Sequence, residues 1–414
     1  MFNTVNPHYL PLQRFMESVL RKRNRKMSLR RQIENRLPRF LQDLETVVNI
    51  DSPSGHAEGL QEVCAFFRDR FENIGYQAVE HYFDNGKVPC LEAVRMPPKR
   101  EKRHFDFLFL GHMDTVYPVG TVAERPFRSD AQHLHGPGVC DMKGGLVTML
   151  HVAEILAESK LAAETAICMA LNSDEEVGST VSRPWYEALA ARSERVLVFE
   201  PWRSTGHRIL HRKGGGVFKV TCHGKSAHAG AAPGDGANAA VEMAHQILAI
   251  QTLRRPELGT SVNVTMVSAG TADNVIPSLA QASVDVRIAT NEEKDRIEAD
   301  FKELIQTAHT DGVRLEVSGG ITRDPMVPTP QTLAMWDQVA AIGENIGLEM
   351  KLTSTGGCSD GNYTAALGIP TIDAMGIRGG AAHSEDEYAD LDSIVPNLHL
   401  LCEIVKAVSD GKIS

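Results

Sequence analysis

The sequence predicts an α/β fold in which a mostly parallel sheet carries helices on both faces and is interrupted by an inserted α+β module. Three observations carry that expectation. Up to about residue 212, buried-looking apolar runs alternate with amphipathic helical patterns, the order that gives parallel sheets. Around Lys213-Gly214-Gly215-Gly216 the texture changes to alternating, half-buried strand patterns. After Asp324-Pro325-Met326-Val327-Pro328 the first texture returns.

Taken in order, Leu37, Phe40, Leu41, Leu44, Val47 and Val48 have helical spacing, and the turn formers from Asn49 to Gly55 close that helix. A second helix uses Leu60, Val63, Phe66, Phe67, Phe71 and Ile74 and stops at Gly75. Strands are expected near 77–82 and 91–94. The central strand follows from Phe105, and Gly111 is read as the point where the chain leaves the sheet, with His112 and Asp114 beyond it. Residues 117–135 read as loop. Gly136 to Gly145 lead into a helix, and further buried strands are expected at 165–171 and 195–199. From 217 to 317 the order is strand-helix-strand-strand-helix-strand, that of a ferredoxin-like split βαβ module. A helix from Leu333, a strand at 371–375 and an amphipathic helix through Leu398, Leu401, Ile404, Val405 and Val408 complete the chain. The expected division is therefore a basic lead at 1–36, a catalytic domain in two parts (37–212 and 325–414), and the insert at 213–324.

Length and composition bound the function. At 414 residues the chain is long enough for two domains, and 42% hydrophobic with 23% charged residues is a soluble globular composition. A net charge of −10 leaves no basic surplus for phosphates, so a nucleic-acid partner is not expected. No apolar run is long enough for a membrane span. The seven cysteines are scattered, odd in number and without Cys-x-x-Cys, which reads as reduced core thiols in a cytoplasmic protein. The basic run Arg21 to Lys26 lacks a following apolar segment, so it is read as a solvated lead-in helix and not a secretory signal. The other reading is a natural start at Met27 behind a poorly ordered stretch.

The chemistry lies at strand ends. His112 and Asp114 follow the central strand, where open α/β sheets place their ligands. One imidazole nitrogen of His112 is free for a cation while Asp114 fixes the tautomer through the other. Asp141 sits in a Gly-rich turn, Glu175 and Glu176 follow the next strand, Glu200 the one after, and His383 closes the set. Each alone has a plain reading: a turn acid or helix cap, a solvated pair, a surface acid, a loop histidine. Jointly, His112, Asp141, Glu176, Glu200 and His383 suit a pair of zinc-like ions, with cobalt or manganese as substitutes. Asp141 is the natural bridge, one His and one Glu remain for each ion, and Glu175 is free to act as general base.

The stretches Gly111 to Val116, Asp141 to Gly145, Asp174 to Ser179 and Phe199-Glu200-Pro201 resemble the motifs of the M20 metallopeptidases, most of all their glutamate carboxypeptidase branch. The resemblance runs from about residue 37 to the C-terminus, and it implies a zinc-exopeptidase-type sheet with an inserted dimerisation or lid domain. It also implies His112 and Glu200 on one zinc, Glu176 and His383 on the other, Asp141 bridging, Glu175 as base and Asp114 orienting His112. The bond Asp141–Met142 is expected to be cis, as is typical of the family. In the insert, His228 of Gly224 to Gly230 matches the histidine that steadies the oxyanion, often in the partner subunit. Asn274, Arg287 and Arg323 match positions that hold the substrate, the arginines by bidentate pairing with its free carboxylate. Gly356 and Gly357 fit the loop lining the substrate pocket, with Cys358 read as a small buried residue and not a nucleophile.

What the resemblance implies is a di-zinc hydrolase that cleaves an amide bond next to a free carboxylate, releasing a C-terminal glutamate or similar amino acid from an N-acyl or peptidyl substrate. The neighbouring readings are a deacylase of acetylornithine deacetylase or succinyl-diaminopimelate desuccinylase type, an M20 dipeptidase, and a catalytically silent binding protein of the same fold. The expected partners are that small substrate and a second copy of the chain.

Overall fold

The computed structural model describes residues 28–98, 104–203 and 205–413. A six-stranded sheet orders Gln77–Phe83, Val88–Arg95, Ile167–Asn172, Phe107–His112, Val196–Val198 and Thr371–Ile372 side by side. The last four run parallel, and the first two join as an antiparallel edge. Side-chain alternation feeds two apolar layers. Phe107, Phe109, Ile167, Met169 and Leu171 enter one with the helices Leu37–Val48, Ala57–Asn73, Gly144–Ser159 and Ile394–Ser409. Leu108, Leu110, Cys168 and Ala170 enter the other with Tyr186, Leu189 and Tyr363. With helices on both faces the four parallel strands are buried throughout, which is why they read as apolar runs. The four parallel strands end on one edge, and that edge collects the acids and histidines singled out above.

The central strand corrects one expectation. It does not end at Gly111: Gly111 pairs with Leu171 and His112 with Asn172. Glycine is needed there because a Cβ would lie 2.6 Å from Met142 Cε and 2.8 Å from Leu146 Cδ2. The glycine lets the catalytic loop pack onto the strand; it does not release the chain from the sheet.

The described end of the lead is helical. Residues 29–34 form a helix whose Ile33 is fully buried, and it packs on the C-terminal helix. Arg36 bonds Glu158 at 2.5 Å and also Glu154, so one face of this segment is docked while Arg30, Arg31 and Glu34 stay exposed. The run Arg21 to Lys26 and the start at Met27 lie outside the described residues. Below this helix, Arg70 grips the Asp43 carboxylate at 2.5 and 2.8 Å and Glu154 at 2.7 Å, while His151 reaches Asp43 at 2.9 Å. Those partners hold Asp43 at about 2 against the opposing effect of burial.

Between Gly214 and Arg323 the chain forms a four-stranded antiparallel sheet, ordered Ser261–Ala269, Leu279–Ile288, Gly214–His223 and Arg314–Arg323. The helices Ala239–Gln251 and Asn291–Leu304 pack on it, with Phe218 and Phe301 stacked at 4.0 Å. Asn238 and Thr290 cap those helices by accepting from Val241 and Glu293 N–H groups, among others. The stretch expected as loop, 117–135, holds the short helix Thr121–Glu124 and the strands Arg128–Ser129 and His133–His135. These strands join Gly379–Gly380 and Tyr388–Asp390 in a small antiparallel sheet. A parallel pair, Arg208–Arg212 with Leu352–Thr355, was not legible either. None of the seven cysteines is in a disulfide, and all are buried except the half-buried Cys358. Among the described residues no helix is long and apolar enough to cross a membrane.

Candidate metal centre and active site

The five candidate ligands converge in two trios that share one residue. His112, Asp141 and Glu200 form one, and Asp141, Glu176 and His383 the other, with the ligand atoms of each within 4.8 Å of one another. His112 Nε2 lies 3.2 Å from Asp141 Oδ1 and 3.6 Å from Glu200 Oε1. His383 Nε2 lies 3.3 Å from both Asp141 Oδ2 and Glu176 Oε2. Asp141 therefore turns one carboxylate oxygen to each trio. Its bond to Met142 is cis.

Tautomer and orientation are set by the surroundings. His112 Nδ1 donates to the Asp114 carbonyl at 2.9 Å and lies 3.4 Å from its Oδ1, which leaves the Nε2 lone pair for the cluster. The Asp114 carboxylate accepts from Ser54 Oγ at 2.6 Å and from the Glu175 and Glu176 N–H groups at 3.2 and 3.1 Å. It thus fixes the loop carrying both glutamates as well as standing beside His112.

The charge balance suits a cation. Burial opposes ionisation of Asp141, but hydrogen bonds from His112 and His383 outweigh it and hold the carboxyl well below the usual range. Asp141 and Glu176 push His383 up to about 10, and burial followed by the Asp141 charge pushes Glu200 well up. Glu176 Oε1 is buried with no hydrogen-bond partner. Two imidazoles, three carboxylates and an orphaned carboxylate oxygen fit two divalent ions of the zinc class.

Glu175 belongs to neither trio. Burial, the largest effect, raises its pKa to about 7, and Arg323 opposes the rise. Arg323 donates to Glu175 Oε1 at 2.9 Å, to the Glu175 carbonyl at 3.1 Å and to Tyr363 Oη at 3.1 Å. Arg287 instead chelates Asp285 at 3.1 and 2.9 Å, and its Nη1 is 3.5 Å from Cys358 Sγ. Cys358 in turn donates to the Lys213 carbonyl. Gly356 and Gly357 are exposed, and a Cβ on Gly356 would meet nothing within 4 Å. His228 and Asn274 are adjacent and exposed on the insert: Ala229 N–H donates to the Asn274 carbonyl at 2.9 Å. The His228 Nδ1 accepts from Gly230 and Ala231, leaving Nε2–H outward. Among the described residues neither bonds to the two trios.

Four bracing residues escaped the sequence reading. Glu387 is buried and accepts from the Gly138, Cys140 and Asp141 N–H groups at 2.8 to 2.9 Å and from Tyr117 Oη at 2.7 Å. Asp360 accepts from Asn172 at 2.5 Å, from Tyr186 at 2.9 Å and from Ser179, fastening the loop that carries Glu175. Arg212, buried, pairs with Asp373 at 2.6 Å and donates to the Gly357 carbonyl at 3.2 Å. Ser54 lies in the turn-former run after the first long helix; turn chemistry was its only signal.

The chain matches the model for peptidase family M20/M25/M40 over residues 108–407. It is 31% identical to carboxypeptidase G2 of Pseudomonas sp. (strain RS-16), over 91% of this chain and 90% of that one. A succinyl-diaminopimelate desuccinylase of Psychrobacter sp. (strain PRwf-1) is 28% identical, over 83% and 89%. The fold matches the crystal structure of aminopeptidase PepT from Bacillus cereus, with a TM-score of 0.74 at 20% identity over 90% and 98% of the two chains. It also matches an M20 family metallo-carboxypeptidase of Sulfolobus solfataricus, with a TM-score of 0.68 at 16% identity over 90% and 99%. The family model covers most of the chain and contains every member of both trios, so the chain is an enzyme of peptidase family M20/M25/M40, of its metallopeptidase and amidohydrolase kind.

Proposed function

We propose that the protein is a di-zinc hydrolase that releases a C-terminal glutamate, or a similar amino acid, from an N-acyl or peptidyl substrate. The observation that carries the reading is the division of the Asp141 carboxylate between two trios, at 3.2 Å from His112 and 3.3 Å from His383. In this reading His112, Glu200 and Asp141 hold one zinc, and Glu176, His383 and Asp141 hold the other. When bound, the two ions supply Lewis-acid polarisation of the amide carbonyl and make a water molecule more acidic. Glu175 takes the proton of the attacking water and returns it to the leaving amine, a task suited to a carboxyl near neutrality.

Asp114 keeps His112 in the required tautomer. Arg323 and Arg287 hold the substrate's free carboxylate, Gly356 and Gly357 leave room for its backbone, and Asn274 and His228 contact it from the insert, His228 at the oxyanion. Because His228 and Asn274 are exposed and unbonded to the trios, they act from a partner subunit or after closure of the insert. Homodimerisation through the insert is supported by its edge strand, where Met266 is 69% and Val267 53% exposed. We place the protein in the cytoplasm, because none of its seven cysteines is in a disulfide.

A second reading, a deacylase of acylated amino acids, is favoured by the desuccinylase at 28% identity. Amino-acid release from a panel of N-acyl and peptidyl glutamates, aspartates and diaminopimelate derivatives separates the two. Chelator-sensitive release of glutamate is expected; turnover confined to other acyl amino acids would move the protein to the deacylase reading. Glu175→Gln is expected to abolish turnover with metal content unchanged, and retained turnover would overturn the role of Glu175.

A further inference from the structure

Six residues before Asp141, a second group of side chains with metal-ligand chemistry converges. Asp130, His133 and His135 offer ligand atoms that lie within 4.8 Å of one another, and the group shares no residue with the two trios of the active site. His133 and His135 alternate along the short strand His133–His135, so both leave it on the same face. His135 Nε2 is 3.2 Å from Asp130 Oδ2, and His133 Nδ1 is 3.8 Å from Asp130 Oδ1.

The group is held in place before any ligand arrives. Asp130 Oδ1 accepts from the Gln132 and His133 N–H groups, both at 2.8 Å, which fixes the carboxylate plane. Behind His133 stands a second acid: its Nε2 is 3.4 Å from Asp390 Oδ1, and Asp390 is fastened by Arg378 Nε at 2.5 Å. The Tyr388 ring meets the His133 ring edge-on at 5.0 Å. A carboxylate behind one ring nitrogen, with the other nitrogen turned to the cluster, is the outer-sphere arrangement that orients a metal-binding imidazole. Ion pairs of His135 with Asp130 and of His133 with Asp390 explain two of these contacts, but not why His133 Nδ1 also faces Asp130 Oδ1. Asp130 is exposed and both histidines are half-buried, so an ion and its water reach the group from solvent.

We propose that Asp130, His133 and His135 bind one further divalent transition-metal ion of the zinc class, separate from the centre around Asp141. Two imidazoles and one carboxylate are the mixed nitrogen and oxygen donors that zinc accepts, with a fourth position left to water. The site braces and does no chemistry of its own. His135 pairs with Tyr388 in the small sheet, and the neighbouring Glu387 holds the Cys140 and Asp141 N–H groups. An ion on this strand stiffens the approach to the catalytic loop.

The test is zinc content of the full-length chain, stripped with chelator and then equilibrated by dialysis against buffered zinc. It compares the unaltered chain with H133A/H135A and, should that variant fold poorly, with D130N; circular dichroism checks each fold. The unaltered chain is expected to hold one ion more per chain than either variant, and its melting temperature to rise further on zinc addition. Equal zinc content in the unaltered chain and the folded variants means ion-paired imidazoles only and overturns the proposal. The difference is read against the same chain, so it does not depend on how many ions the Asp141 centre holds.

Discussion

Removing Arg212 isolates a carboxylate deep beside the site. Arg212 and Asp373 are 4% and 0% exposed, and the Arg212 Nε meets Asp373 Oδ2 at 2.6 Å. In Arg212→Met, Asp373 keeps, among the described residues, only Ser359 Oγ at 2.5 Å and the Ala374 N–H as donors. The Gly357 and Cys358 carbonyls also lose their donor, at 3.2 and 3.4 Å. Breaking a buried pair from one side costs about 3–5 kcal/mol, and two remaining donors put this case near 3 kcal/mol. Arg212→Met/Asp373→Asn removes the stranded charge and should recover about 2 kcal/mol, leaving the two carbonyl bonds as the residual loss. The assay is urea denaturation of all four members of the cycle in excess chelator, so that cation binding does not enter. A loss under ~1 kcal/mol in Arg212→Met, or a double variant no more stable than the single one, would refute this reasoning.

Other outcomes follow from the same contacts. Asp43 is held at about 2 in the folded chain against an ordinary 3.8. A depressed carboxylate stabilises above its unfolded value and loses that contribution as pH falls through the folded one. The stability gap between the unaltered chain and Asp43→Asn should therefore be about 2 kcal/mol at pH 6 and close between pH 4 and pH 2; a gap independent of pH would contradict the pairing. Gly145→Ala places a Cβ 2.0 Å from the Phe199 carbonyl oxygen, on the segment leading to Glu200. It should cost roughly 3 kcal/mol and on the order of a hundredfold in turnover, and near-normal turnover would count against that packing. Chelation should lower the melting temperature and zinc should restore it, because ions held by the two trios would neutralise three clustered carboxylates. A melting temperature indifferent to chelator would argue that the trios hold no ion.

The sequence carried those features that depend on local pattern. The strand through Phe107 and Phe109, the strand-end position of His112 and the order of elements in the insert all follow from apolar periodicity, and the structure has them. What local pattern does not encode was missed. Glu387 reaches the Asp141 loop from 246 residues away and Asp360 reaches Ser179 from 181, and nothing near either marks it as a brace. Gly111 was misread because a glycine that ends a strand and one that admits a neighbouring side chain look alike in sequence; only Met142 and Leu146 distinguish them. The helix 29–34 hides its docking in two apolar residues, Leu29 and Ile33, and in Arg36, whose partner Glu154 lies 118 residues on. Arg208–Arg212 is short with an arginine at each end, and Leu352–Thr355 has a single apolar residue, so neither period nor propensity singles the pair out.

The central claim is that one carboxylate serves two cations, and zinc content of the purified chain beside Asp141→Ala tests it most directly. With the variant shown to be folded by its melting, the account predicts that it holds two ions fewer per chain than the unaltered protein. A variant that loses only one ion, or none, would contradict the shared bridge at Asp141.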